Sequence, residues 1–342
     1  MDKINILDCT LRDGGYVNNW EFRDEDIVDI INMLKEANID VIECGIFGET
    51  PILAGTRFYD LRRFEEKLQL DKNNTHTKYA VMLNCAEKDK FTIKKYNGGI
   101  DIIRLAFFKQ EYKEAVKYAN KLMELGYKVY MQAMATAMYG TYELRDLMDT
   151  VNNLKPEAFY MVDSFGSMSS GDVEYYCNHI RSQLDRNIVF GFHGHDNTKQ
   201  ALSHTLKFIK TGACDNRNII VDSSVFGMGR GAGNCKTEVL INNLNNIYNP
   251  DEDGRFDSEK IIEIYNKHLH KIYCKSYWGY TPSHYLAGKL GINSAYIWYM
   301  KKLGIKTYGK IELILSLIPK DIKHYLNKPF VDKIAQYMVK DE

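Results

Sequence analysis

Excess charge of either sign is absent from this 342-residue chain, in which 45 Lys and Arg offset 45 Asp and Glu. No run of five or more like charges occurs, so nothing resembles a footprint for a phosphate backbone or an anionic lipid surface. Neither nucleic acid nor membrane is expected as a partner. Long apolar runs are missing too. Stretches such as residues 311–318 fall far short of the roughly 20 residues that a spanning helix needs. The opening MDKINILDCT lacks the apolar core of a secretory signal. CxxC spacing is absent among the 7 cysteines (Cys9, Cys44, Cys85, Cys177, Cys214, Cys235 and Cys274), and their odd, scattered occurrence argues against a disulfide framework. Reduced thiols in a cytoplasm are the expectation.

What is present is a globular composition, 45% hydrophobic, long enough for two average domains or one large barrel with an appendage. Short β-branched or apolar runs recur at residues 4–8, 41–46, 79–83, 102–105, 129–133, 158–162, 188–193 and 219–222. Helical periodicity fills the intervals near 27–34, 112–125, 142–154, 173–184, 201–209 and 239–247. Strands alternating with helices indicate parallel βαβ units, and eight units within about 250 residues match the size of a (β/α)₈ TIM barrel. An open doubly wound sheet competes, because alternation alone does not reveal closure. Residues 48–77 form a long connection containing FYDLRRFEEKL, whose spacing predicts an extra helix beside the active end. From about residue 257 the strand signal stops and short helical patterns follow. The expected division is a catalytic barrel over residues 1–250 and a C-terminal helical domain over 251–342.

The sharpest candidate site is the pair His193 and His195, in NIVFGFHGHDN at the end of an apolar strand. Alternate residues of a strand share a face, so both imidazoles can meet one metal ion. A hydrogen-bonded loop pair is the bland reading. His268 and His270 have the same spacing within a helical pattern. On a helix they diverge by roughly 200°, so a solvated face is expected there. At the end of the first strand, DCTLRDGGY sets Arg12 beside Asp13, offering an oxygen ligand next to a fixed cation. A surface ion pair at a tight turn is the alternative. One carboxylate and two imidazoles leave open positions, which suits a Lewis-acidic divalent ion. The glycine-rich FGMGRGAGN lacks the position and acidic partner of a dinucleotide fingerprint, and instead brings Asn234 toward the barrel mouth. Other predicted strand ends carry Glu43, Arg104, Gln132, Asp163 and Ser164, at the end of the barrel where chemistry gathers.

With these three motifs in order, residues 4 to 250 resemble the DRE-TIM metallolyase, or HMGL-like, superfamily. Within it the chain is most similar to the 4-hydroxy-2-oxovalerate aldolase type. The resemblance implies that Asp13, His193 and His195 bind a divalent metal, with Asn234 as a further ligand or support. It also implies Arg12 stabilising an enolate oxygen, while the donor set itself, without a thiolate, favours Mn²⁺ before Mg²⁺, Co²⁺ or Zn²⁺. Ser164 corresponds to the serine that contacts the substrate carboxylate, and Glu43 and Arg104 join it as substrate-binding candidates. The chain departs from the pattern at Tyr16, where those aldolases carry a histidine base. Their C-terminal tyrosine has Tyr280 or Tyr285 as its counterpart. The lysine of the biotin-dependent members and the cysteine of the hydroxymethylglutaryl-CoA lyases are absent from the corresponding segments.

The function these readings imply is a metal-dependent aldolase that cleaves or forms a 4-hydroxy-2-oxo acid through a pyruvate-type enolate. Its partners would be a 2-oxo acid and an aldehyde, with a dehydrogenase or a second copy docking on the C-terminal helices. A Claisen-type synthase joining an acyl-CoA to a 2-oxo acid, and a catalytically silent barrel that recruits an enzyme, are the two other readings.

Overall fold

The computed structural model describes residues 3–49, 55–70, 76–213, 216–248 and 254–338. Its frame is eight strands: β1 (Ile4–Asp8), β2 (Val41–Phe47), β3 (Lys78–Asn84), β4 (Ile102–Phe107), β5 (Lys128–Ala133), β6 (Ala158–Asp163), β7 (Val189–Gly194) and β8 (Ile219–Ser223). Each pairs in parallel with the next, and β8 pairs back onto β1 with Ile4 opposite Ile219. The sheet is therefore a closed TIM barrel. A two-residue strand, Arg57–Phe58, extends the far end of β2.

Helices α1 (Asp24–Glu36), α2 (Leu61–Leu68), α3 (Tyr112–Glu124), α4 (Thr141–Leu154), α5 (Ser170–Gln183), α6 (Ala201–Gly212) and α7 (Thr237–Tyr248) surround it. In α1 the buried Ile27, Ile30, Ile31 and Leu34 make the i, i+3, i+4 stripe that faces the barrel. Asp60 caps α2 by accepting from the Arg62 and Arg63 amides, which fixes the helix predicted in the long connection. Residues 50–54 and 71–75 of that connection lie outside the described residues. The third unit is degenerate: β3 is followed by a 3₁₀ turn, Cys85–Lys90, rather than an α-helix. Its FTIKKYNGGI sequence offers only Phe91 and Ile100 as buried apolar side chains, too few for an apolar stripe.

Past residue 254 the described chain is helical, as expected. Phe256, Ile261, Ile264, Leu269 and Trp278 extend the barrel's own core, whereas residues from Ala287 to Ala335 pack a separate one. The expected division after residue 250 falls among residues 249–253, outside the described ones. His268 departs from its expected solvated face. A π-helical turn over Tyr265–Leu269 directs its Nδ1 to Asp26 at 2.9 Å and its Nε2 to Asp29 at 2.7 Å, both on α1. His270 is exposed as expected. Cys9, Cys44, Cys85, Cys177, Cys235 and Cys274 are free thiols, and Cys214 lies outside the described residues. No helix among the described residues is long and apolar enough to cross a membrane.

Candidate metal centre

Strand alternation decides which side chains enter the barrel. Leu7, Val41, Ile102, Tyr130, Ala158, Tyr160 and Ile220 form its inner apolar layer. Two residues further along the same faces stand Cys9, Glu43, Arg104, Gln132 and Asp222. An extra residue in β2 between Glu43 and Gly45 shifts the register against β3, so Ile46 also points inward.

The inward charges satisfy one another. Glu43 Oε2 accepts from Arg12 Nε and from Arg104 Nη1, each at 2.7 Å. Arg104 also donates to Asp222 and, at 3.1 Å, to Gln132 Oε1, and its guanidinium lies 4.9 Å from the Tyr160 ring centroid. Asp222 then faces His193 Nδ1 at 2.8 Å. Burial alone would raise the Asp222 pKa, but Arg104 and His193 hold it below the usual carboxylate value. Removing one member of such a buried network leaves an uncompensated charge, at a cost of about 3–5 kcal/mol.

Above this layer, one donor atom from each of Asp13, His193 and His195 lies within 4.8 Å of the others, and all three residues are buried. The two Nε2 atoms are 3.4 Å apart. With the His193 Nδ1 proton committed to Asp222, its Nε2 lone pair faces the shared space. Burial pushes the His195 pKa down to about 3, leaving a neutral, ligand-competent imidazole. Burial works to raise the Asp13 pKa, but Arg12, His195, His193 and Arg230 together hold it well below the carboxylate range. Asn234 Nδ2 donates to Asp13 Oδ2 at 2.8 Å, while its Oδ1 is buried with no hydrogen-bond partner in the structure. Nearby Cys9 is kept protonated because burial raises its thiol pKa. The donors are therefore oxygen and nitrogen without a thiolate, a set that fits a six-coordinate divalent ion rather than structural zinc.

The loop after β8 reaches this centre only through glycine. A Cβ on Gly229 would lie 2.5 Å from Asp13 Oδ2 and 2.3 Å from Asn234 Nδ2. Gly233 has φ +89°, and its carbonyl accepts from the Asp196 amide at 2.8 Å. The same loop delivers Arg230. Its amide donates to Asp13 at 3.2 Å, its Nη2 to the Ser164 carbonyl at 3.2 Å, and its guanidinium lies 5.5 Å from the Tyr16 ring centroid.

A cavity of about 360 Å³ opens over the centre. Arg12, Asp13, His193, His195, Tyr16 and Ser164 line it, so the structure brings most of the predicted set together. Tyr16 is 38% exposed and edge-stacked on Trp20. Ser164 Oγ is occupied by the Ala135 amide at 2.9 Å. Three candidates stand elsewhere. Glu43 and Arg104 are fully buried beneath the floor, and their placement as substrate contacts is corrected to support of Arg12 and Asp222. Tyr280 does not line this cavity; it faces a groove with Lys199, Tyr273 and Tyr277. The chain turns away at Gly279, where φ is +119°. Tyr285 is exposed, its ring tilted 57° to that of Tyr280 with centroids 6.3 Å apart.

Sequence reasoning missed Asp222, Arg230 and His324. Asp222 was legible as the last inward polar residue of an apolar strand. His324 lines the cavity from the C-terminal segment together with Asn293, Tyr325 and Leu326, and only the tertiary fold could place it there. Arg12 Nη2 and Gln132 Nε2, on two side chains that line the cavity, are buried and unbonded in the structure.

Comparison with known proteins agrees with this geometry. The profile of the family described as HMGL-like matches residues 3–266. A 4-hydroxy-2-oxovalerate aldolase of Geobacillus thermodenitrificans is 29% identical over 249 residues, 71% of this chain and 70% of that protein. An oxaloacetate decarboxylase of Mycobacterium tuberculosis is 25% identical over 239 residues, 69% and 68% of the two chains. Among solved structures, the N-terminal domain of a Bacteroides vulgatus protein provisionally described as an aldolase superimposes with a TM-score of 0.70. It is 26% identical and covers 92% of this chain and 100% of that one.

Proposed function

Because the chain belongs to the HMGL-like family, we propose that it is a divalent-metal-dependent carbon–carbon lyase that cleaves or forms a 4-hydroxy-2-oxo acid through a pyruvate-type enolate. The names of the two relatives support this reading, since aldol cleavage of 4-hydroxy-2-oxovalerate and decarboxylation of oxaloacetate both break the C3–C4 bond of a 2-oxo acid. A divalent ion held by Asp13, His193 and His195, with Asn234 beside Asp13, supplies a Lewis acid for the 2-oxo acid's oxygens. Mn²⁺ is the ion we favour, and Mg²⁺, Co²⁺ and Zn²⁺ also suit the donors.

One observation carries the assignment: Arg12 is buried, is held by Glu43 and Asp13, and keeps Nη2 without a partner beside the donor triad. A fixed cation with a spare donor stabilises charge that develops on an enolate oxygen. Gln132 Nε2 offers a neutral second donor. Ser164 and Arg230 border the same space and suit the substrate carboxylate. A phenol is a weak base at neutral pH, so we assign Tyr16 to proton donation or substrate clamping. The helices after residue 250 form the lid domain of this reading. Their exposed Trp298, Leu313 and Leu317 are the surface to which we assign a partner dehydrogenase or a second copy.

The test is product analysis with purified protein and Mn²⁺. Pyruvate and an aldehyde from a 4-hydroxy-2-oxo acid support the lyase. Free CoA from acetyl-CoA plus a 2-oxo acid would favour the synthase, and metal binding without either reaction would favour the silent barrel.

A further inference from the structure

We propose that His324 is the general base that removes the C4 hydroxyl proton during cleavage, a role resting on the lyase reading above. Retro-aldol cleavage needs a base on the side of the cavity away from the metal donors, where the leaving aldehyde forms. Arg12, Asp13, His193 and His195 make the floor, and His324 stands in the wall built by the C-terminal segment.

The imidazole is held in place. It stacks on Phe165 at 5.5 Å between centroids with planes 29° apart, and Phe165 follows the cavity residue Ser164. Its carbonyl accepts from Asn293 Nδ2 at 2.9 Å, and the preceding Lys323 is tied to the Leu290 carbonyl at 2.9 Å. His324 Nδ1 is nevertheless buried with no hydrogen-bond partner in the structure. That atom is closed off from the cavity, so Nε2, which is not among the buried unpartnered atoms, is the nitrogen through which the ring meets a substrate hydroxyl.

The rival bases are weaker or engaged. Glu111 accepts from the Phe108 amide at 2.8 Å, and Glu87 pairs with Lys90 at 3.4 Å. Imidazole is moreover a stronger base than carboxylate. Burial, then the neighbouring Lys323, lowers the His324 pKa, which keeps the ring neutral and able to accept a proton at pH 7.

In the step, the C4–OH proton passes to His324 and the C3–C4 electron pair moves to C3 as C4 becomes the aldehyde carbonyl. The enolate then takes a solvent proton at C3, and His324 returns its own proton to water.

The experiment compares wild type, His324→Gln and His324→Ala in two assays with Mn²⁺: 4-hydroxy-2-oxovalerate cleavage, and deuterium exchange at pyruvate C3. Both variants should cleave about 10²-fold more slowly or worse, keep exchange within about threefold, and regain cleavage in the Ala variant when imidazole is added. Melting curves matching wild type exclude misfolding. Cleavage close to wild type in either variant, parallel loss of exchange and cleavage, or an Ala variant that imidazole does not restore would overturn the assignment. Wild-type exchange without cleavage would overturn it as well. A wild type lacking both activities would overturn the lyase reading itself, a distinguishable result.

Discussion

Two histidine pairs with one residue between them meet opposite fates in this molecule. His193 and His195, at the end of β7, bring their Nε2 atoms to 3.4 Å beside Asp13. His268 and His270 lie on a helix: the first is clamped between Asp26 and Asp29, and the second is exposed. The spacing is identical and the backbone differs, an extended strand with a side-chain period of 2.0 residues against a helical turn. A motif therefore carries chemistry only in combination with the element that holds it. The comparison also shows two uses of a carboxylate. Asp222 binds one nitrogen of His193 and leaves the other free, whereas the two aspartates at His268 occupy both.

The largest effect expected from breaking the first pair is loss of the metal. His193→Ala and His195→Ala should each abolish divalent-ion binding and reduce C3 exchange to background, as elemental analysis and mass spectrometry would record. Unchanged occupancy in both variants would remove the pair from the centre. Next comes Arg12→Lys, which keeps the charge but loses the planar fork that serves Glu43 and Asp13 together. Turnover should fall by about 10²–10³-fold with metal still bound; near-normal exchange would contradict the enolate role.

Asp222→Asn sharpens the comparison by weakening the orienting bond without touching the donors. Metal affinity should drop by about 10–100-fold, read by titration with Mn²⁺. Smallest is His268→Ala, which should cost about 1–2 kcal/mol of stability, since Asp26 is mostly buried while Asp29 is half exposed and solvent-screened. Chemical denaturation measures that loss, and exchange activity should not change. A metal or activity defect in His268→Ala would mean that the helical pair is coupled to the site.

Much of the barrel was readable from the chain because strand runs end in polar residues and helical stripes fill the gaps. Closure was not readable, since it depends on β8 pairing with β1 across the whole sequence. The centre was legible where spacing and backbone period coincide, as at Asp13, His193 and His195. Glu43 and Arg104 stand within their strands rather than at the expected ends, too deep to meet a substrate, because the layer above them is filled by Arg12 and the donor triad. Tyr280 was misplaced, and His324 overlooked, for one reason. Local pattern does not say which face of a C-terminal helical segment folds over a barrel mouth. The π-turn that buries His268 was equally hidden, as helical periodicity assumes 3.6 residues per turn.

The central claim is that Asp13, His193 and His195 hold an ion that, with Arg12, generates an enolate from a 2-oxo acid. Deuterium incorporation at C3 of pyruvate in D₂O, with chelated protein and again after Mn²⁺ is restored, tests it without knowledge of the aldehyde. The account predicts incorporation that requires the metal and disappears in His195→Ala. No incorporation with the ion bound, or incorporation equal with and without it, would contradict the account.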